Sequence, residues 1–220
     1  MTAQALEAVL SVNRLSTYRN YVLQELGNDD LDRALQLYAW NAQISSAYLL
    51  PLHLYEVILR NAIADAIALR YGKNWVYEAY FVNSLPDPAH GYSPKRDLLS
   101  VRVQHTTIGK IIPELKFAFW EQMLTKRHDG RIWDTHIKTV FPFLPVTATT
   151  AQSRSLLNGF CYNIRKIRNR IAHHEPIFNQ STLNTALIDI YTSISYRSDE
   201  ATEWLTQLET VSNLLASRPI

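Results

Sequence analysis

The sequence contains one cysteine, Cys161, in 220 residues. No intramolecular disulfide can form, and no cysteine pair has the spacing of a zinc site. Neither sign of charge is in excess: 22 basic and 20 acidic residues leave a formal net charge of +2, which is too balanced to mark a nucleic-acid binder by itself. No apolar run approaches the ~18 residues of a membrane span. The N-terminal stretch from Met1 to Glu7 lacks the basic segment and apolar run of a signal peptide. Together these absences predict a chain of the reducing cytoplasm with no membrane partner. Internal repeats, low-complexity tracts and interdomain linkers are also missing, and strand signals are nearly so. What is present is 47% hydrophobic residues, enough for one sizeable core, so the expectation is a single all-α domain over residues 1–220.

The punctuation of the chain divides it into helices. An amphipathic segment over 15–26 closes at Gly27, and Asn28, Asp29 and Asp30 can cap a helix carrying Leu31, Leu35 and Tyr38. That helix is expected to break or kink near Pro51, with a second helix running to Gly72. Residues 73–94, with Pro86, Pro88, Gly91 and Pro94, read as an irregular excursion and the variable or mobile part of the chain. Ser93-Pro94 fits the cap and first turn of a helix over about 95–105, and Pro113 the first turn of a helix carrying Phe117, Phe119, Trp120 and Met123. A short segment around Trp133 follows. The next long helix is expected from Thr149 or Thr150 to about His173, in the 150–174 region, followed by helices over 182–196 and 199–216.

The end of that long helix is the most distinctive part of the sequence: Ile164-Arg165-Lys166-Ile167-Arg168-Asn169-Arg170-Ile171-Ala172-His173-His174-Glu175-Pro176. Between residues 165 and 174 there are four cations, two histidines and no acid. On a helical wheel Leu157, Phe160, Ile164, Ile167 and Ile171 form the core stripe. Arg165, Asn169 and His173 form a row on the other side, with Arg168 between row and stripe. Imidazole titrates near neutral pH and guanidinium grips phosphate oxygens, so these groups suit metal-free acid-base chemistry on a phosphodiester. The plainer reading is a solvated basic face complementing the helix macrodipole. Arg168 and His173 are about 140° apart on an ideal helix. Either the helix distorts before Pro176, or two copies of the strip face each other. Cys161, on the helix margin, reads as an inert packing residue.

A second constellation is Glu56-Val57-Ile58-Leu59-Arg60-Asn61. Glu56 and Arg60 are i, i+4 neighbours in an apolar helix. They read either as a partly buried ion pair fixing helix packing or, with Asn61, as support for Arg168 or His173 from across the bundle. Adjacent His174 and Glu175 raise the question of a metal. Consecutive helical positions diverge by about 100°, and no H-E-x-x-H spacing is present, so neither a metal nor any other cofactor is expected. His174 instead reads as part of a polar helix end ended by Pro176.

Arg168-Asn169-x-x-x-His173 on the last core helix of an all-helical domain resembles the signature of the HEPN superfamily, and its surroundings resemble the Abi-like (abortive infection) branch. The accompanying features are Tyr18-Arg19, Leu37-Tyr38-x-Trp40-Asn41, Leu54-Tyr55-Glu56-Val57-x-Leu59-Arg60-Asn61, Phe119-Trp120, Ile132-Trp133 and Arg170-Ile171-Ala172-His173-His174. They run from about residue 15 to 178. The resemblance implies a HEPN-like helical bundle with additional peripheral helices. It also implies a metal-independent endoribonuclease with its motif in a cleft between two protomers, acting in phage defence or as a toxin with an antitoxin partner.

On that reading the ribose 2'-hydroxyl attacks its adjacent phosphate. His173 would act as general acid or base, Arg168 would stabilise the phosphorane oxygens, and Asn169 would hydrogen-bond and orient His173. Arg165, Arg170 and His174 would hold the RNA backbone. The alternative is a non-catalytic RNA-binding or protein-interaction module, and a third reading is a helical scaffold whose basic row is spent in salt bridges.

Overall fold

The computed structural model describes residues 2–220, and every regular element among them is helical. Helix α1 (Ala3–Leu10) and helix α2 (Val12–Leu26) meet at Ser11, and α2 ends at Gly27, whose φ of +75° is the left-handed conformation that glycine takes without a Cβ clash. Helix α3 (Leu31–Tyr71) starts at Asp30, whose side chain accepts from the Arg33 amide. At 41 residues it is about 60 Å long.

The break expected at Pro51 is absent: α3 runs through it, and Pro51 is itself buried. An interior proline costs about 3 kcal/mol. Here that cost is offset by burial on both sides of it, through Ile44, Tyr48, Leu52, Tyr55 and Leu59. From Ala34 to Leu59 α3 buries one stripe, and it widens the buried sector over Ala62, Ile63, Ala64, Ala66 and Ile67. It is the central helix, packed against α2 and, as their ranges are given below, against α7 to α12.

Residues 73–94 are only partly the irregular excursion expected. A 3-10 turn (Trp75–Tyr77) and helix α4 (Ala79–Ser84) lead it, and Trp75, Val76, Phe81, Val82 and Leu85 are buried. The Trp75 ring lies 5.2 Å from Phe81 and 6.3 Å from Phe119, so this segment is anchored in the aromatic core. The longest stretch of 73–94 without regular structure is 85–93. Ser93 then caps helix α5 (Pro94–Gln104) as its sequence predicts, accepting from the Arg96 amide.

Pro113 does not open the next helix. It lies in the last turn of helix α6 (Ile108–Glu114), and the chain turns at Leu115 and Lys116 before helix α7 (Phe117–Met123). Ile111, Leu115 and Phe117 are buried around this corner, and Asp97 Oδ2 accepts from the Lys116 amide, so tertiary packing sets the boundary. A 3-10 turn (Lys126–His128) and a π turn (Asp129–Trp133) lead into helix α8 (Asp134–Val140). Trp133 is buried and donates to the Met123 carbonyl at 2.7 Å.

Helix α9 (Thr150–Ala172) begins with a reciprocal capping box between Thr149 and Gln152. Helix α10 (Leu183–Ser195) follows. The single helix expected over 199–216 is two, α11 (Asp199–Leu208) and α12 (Val211–Ala216). Glu209 splits them. Its carboxylate accepts from both the amide and the hydroxyl of Ser212, offering a local alternative to continuing the helix.

Helices α3 and α9 lie antiparallel. Near one end, Asn41 of α3 accepts from the buried amides of Ile177 and Phe178, just beyond α9, at 2.8 and 3.0 Å. Further along, Glu56 of α3 faces Arg168 of α9. Among the described residues no helix is long and apolar enough to cross a membrane.

Candidate functional site

The core stripe of α9 is as its periodicity predicts: Leu157, Ile164, Ile167 and Ile171 are buried and Phe160 is partly buried against the core. Cys161, assigned to the margin, belongs to the stripe. It is fully buried, and burial pushes its thiol pKa well up, so it stays protonated packing material.

The cations of the strip each have a local partner. Arg165 Nε lies 2.8 Å from Glu121 Oε2 on α7. Arg168 Nε lies 3.8 Å from Glu56 Oε2 on α3, and its side chain is 42% exposed. Arg170 Nε donates to the Pro176 carbonyl at 2.9 Å, and its Nη1 lies 3.2 Å from Glu175 Oε2. Lys166 has no acid but sits over the Tyr162 ring, 4.4 Å from its centroid. Three of the four cations of the strip are thus paired in three dimensions with Glu56, Glu121 and Glu175.

Glu56 takes the supporting position that the sequence allowed, reaching Arg168 and not Arg60. An i, i+4 pair is worth only about 0.2–0.5 kcal/mol, so a tertiary partner readily wins. Arg60 forms no ion pair among the described residues, and its Nε is buried without a hydrogen-bond partner. Asn61 is exposed. Neither Arg60 nor Asn61 contacts Arg168 or His173 by hydrogen bond or ion pair.

Helical hydrogen bonding persists to His173, whose amide donates to the Asn169 carbonyl at 3.0 Å. Helical geometry thus holds from Arg168 to Ala172, and His173 is the C-cap, with φ −97° and ψ 11°. The departure is larger at the next residue. His174 has φ +54°, its amide donates to Ile171 and that of Glu175 to Arg170. These two bonds close a Schellman motif with His174 at the left-handed position usually held by glycine. The His174 carbonyl is in turn capped by Arg14 Nη2. His173 is exposed, and no hydrogen bond joins its ring to the Asn169 side chain among the described residues.

Beside this helix end lies a cleft of about 440 Å³ whose lining includes Arg14, Tyr38, Ser45, Ser46, Ile171 and His174. Arg14 also lies over the Tyr38 ring, 5.9 Å from its centroid. Tyr18 is buried nearby, and burial raises its hydroxyl pKa to about 12 against the lowering pull of Arg14 and Arg170. The cleft admits His174 but not His173 or Arg168. Sequence reading missed Arg14 and Glu121. Nothing in the linear pattern joins Arg14 to a helix end 160 positions away. Arg19, which stands in the neighbouring Tyr18-Arg19 pair, is spent on Glu7 and Asp29.

Among the described residues no group of three or more His, Cys, Asp or Glu side chains is arranged to hold a metal ion. No family model, curated protein or solved structure matches this chain.

Proposed function

We propose that this chain is a HEPN-like, metal-independent endoribonuclease of the abortive-infection or toxin type, acting as a homodimer. The observation that carries the reading is the pairing of a part-exposed Arg168 with an exposed His173 at the C-cap of the same helix, with Glu56 steadying the guanidinium. Five residues of helical spacing, about 140° on the wheel, favour a composite site, in which Arg168 of one protomer works with His173 of the other. The 2'-hydroxyl supplies the nucleophile. His173 takes its proton or returns one to the leaving 5'-oxygen, and Arg168 holds the phosphorane oxygens. Asn169 orients His173 in the assembled dimer. Arg165, Arg170 and His174 line the approach for the RNA backbone.

The test is electrophoresis of RNA incubated with wild type, Arg168→Ala and His173→Ala. Wild type yields 2',3'-cyclic phosphate ends, with chelator present or absent, and leaves DNA intact. Each variant loses at least a hundredfold in rate, within the usual range for a general acid-base group. Cleavage that survives both substitutions removes the site assignment. A specific observation favours a second reading, a helical scaffold with no nucleic-acid role: Arg165, Arg168 and Arg170 all lie against carboxylates. Wild type that neither cleaves RNA nor binds it through these residues selects that reading, and retained binding without cleavage selects a non-catalytic binding module.

A further inference from the structure

At the opposite end of α3 from the Arg14 cleft is a second, more open groove of about 670 Å³, lined by Arg70, Tyr71, Glu78, Tyr80, Ser84 and Arg131. From Ser46 beside the first cleft to Arg70 is 24 helical residues, about 36 Å at 1.5 Å per residue. The two sites are therefore separate surfaces. We infer that this groove binds single-stranded nucleic acid, gripping phosphates with Arg70 and Arg131 and stacking a base on Tyr80.

Two guanidinium groups without carboxylate partners define the groove. Arg70 and Arg131 form no ion pair among the described residues, and neither do Lys73 and Arg127 beside them in sequence. The one acid in the lining, Glu78, has an oxygen committed to the Phe81 amide at 2.7 Å, where it caps α4. The macrodipole accounts for a cation in the last turn of α3. It does not account for Arg131, which comes from the separate turn before α8 and converges on the same groove.

Arg131 is held in place from beneath. Its Nη2 lies 3.2 Å from Nδ1 of His128, a fully buried ring. Burial, with Arg131 and Arg127 close by, lowers the His128 pKa to about 3. The ring is therefore neutral at working pH, and its Nδ1 accepts from the guanidinium. A buried neutral acceptor fixes the cation's position and leaves its charge uncancelled.

The aromatic side of the groove has the other half of the chemistry. Tyr80 is 83% exposed, a large ring with almost no packing partner. Tyr71 is packed on Phe81 from behind, with centroids 5.2 Å apart, and carries Arg70 at 5.7 Å from its own centroid. Cations beside a presented aromatic face are what single strands recognise, because every base has a π face and every nucleotide a phosphate. This inference does not depend on the chemistry proposed for α9, since binding here requires no cleavage.

The probe is a fluorescent 2'-O-methyl oligouridylate of about twelve nucleotides, within the usual site sizes. It lacks the 2'-hydroxyl that cleavage would use, so binding is read apart from catalysis. Anisotropy titrations of the full chain are expected to show binding that weakens with salt. Tyr80→Ala should weaken it about fivefold or more. Arg70→Glu should weaken it at least tenfold, with a salt slope shallower by about 0.7 for each phosphate that is no longer neutralised. Both side chains are exposed, and unchanged circular-dichroism melting checks that the variants fold. Wild-type affinity in both variants overturns the inference. So does equal binding of poly-glutamate, which would assign the groove to acidic protein, and so does loss of binding in Arg168→Ala with none in the groove variants.

Discussion

The α9 strip and the groove at the far end of α3 are both rich in arginine, yet the structure treats their charges in opposite ways. At the strip, Glu121, Glu56 and Glu175 each take a guanidinium. At the groove, Arg131 rests on a neutral histidine and Arg70 on a tyrosine ring. A sequence reading ranks the strip far above the groove, because its four cations are clustered within a few residues. Free positive potential depends on what surrounds each charge, and the groove's two arginines, unlike the strip's, are left without carboxylate partners among the described residues. The strip keeps what the groove lacks, an exposed imidazole near an arginine.

The largest expected effect sharpens this division. If the strip works as a composite dimer site, inactive Arg168→Ala and inactive His173→Ala proteins regain activity when mixed and allowed to exchange protomers. Half of the dimers are then mixed and each has one intact site, so recovery approaches about a quarter of wild type in a two-fold symmetric dimer. No recovery in a demonstrably exchanging mixture would falsify the two-protomer arrangement.

The next effect belongs to the groove. The His128 pKa is lowered from 6.5 to about 3 in the folded chain. The unfolded chain therefore takes up this proton first as pH falls. The associated stability is fully present above about 6.5 and is lost progressively down to about 3. Its contribution approaches 1.4 kcal/mol per pH unit inside that window. Urea midpoints measured at pH 7, 5.5 and 4.5 should fall more steeply for wild type than for His128→Gln; parallel curves would mean that His128 is not the buried neutral support of Arg131.

Smaller changes probe the strip's neutralisation. Glu56→Gln should release Arg168 and tighten the uncleavable oligonucleotide by less than about fivefold, the scale of an exposed ion pair. The same anisotropy titration reads it, and weaker binding would instead mean that Glu56 is needed to hold Arg168 in place. Smallest is His174→Gly. A non-glycine residue in the left-handed region costs about 1–2 kcal/mol, partly offset by the chain entropy of glycine. Net stabilisation of up to about 1 kcal/mol should raise the melting temperature by roughly 2–4 °C. A lower melting temperature would mean that the His174 ring contributes more than its backbone costs.

Local signals in the sequence proved legible at several helix ends where a neighbour within four residues supplies the bond, although the Glu209–Ser212 break between α11 and α12 was not. Gly27 ends α2, Ser93 caps α5, and Thr149 with Gln152 opens α9. The core stripe of α9 was equally legible, since Ile164, Ile167 and Ile171 need only the helical period to share a face. Proline was a weaker guide. At Pro51 the burial of Tyr48, Leu52 and Tyr55 overrides a local penalty, and at Pro113 the packing of Ile111 and Leu115 moves the helix end. The choice of charge partner was not legible. Glu56 has Arg60 one turn away in sequence and takes Arg168, because an antiparallel α3–α9 pair brings it there.

By itself the sequence determined an all-helical chain, the limits of α9, and its inward stripe apart from Cys161, because capping and periodicity act within a few residues. Only the tertiary structure decided that the strip's arginines are paired with carboxylates, that His174 serves the helix end through its backbone, and that Arg70 and Arg131 share a groove. Those outcomes turn on carboxylates, carbonyls and rings brought together from distant parts of the chain, and electrostatic interactions depend on separation in space.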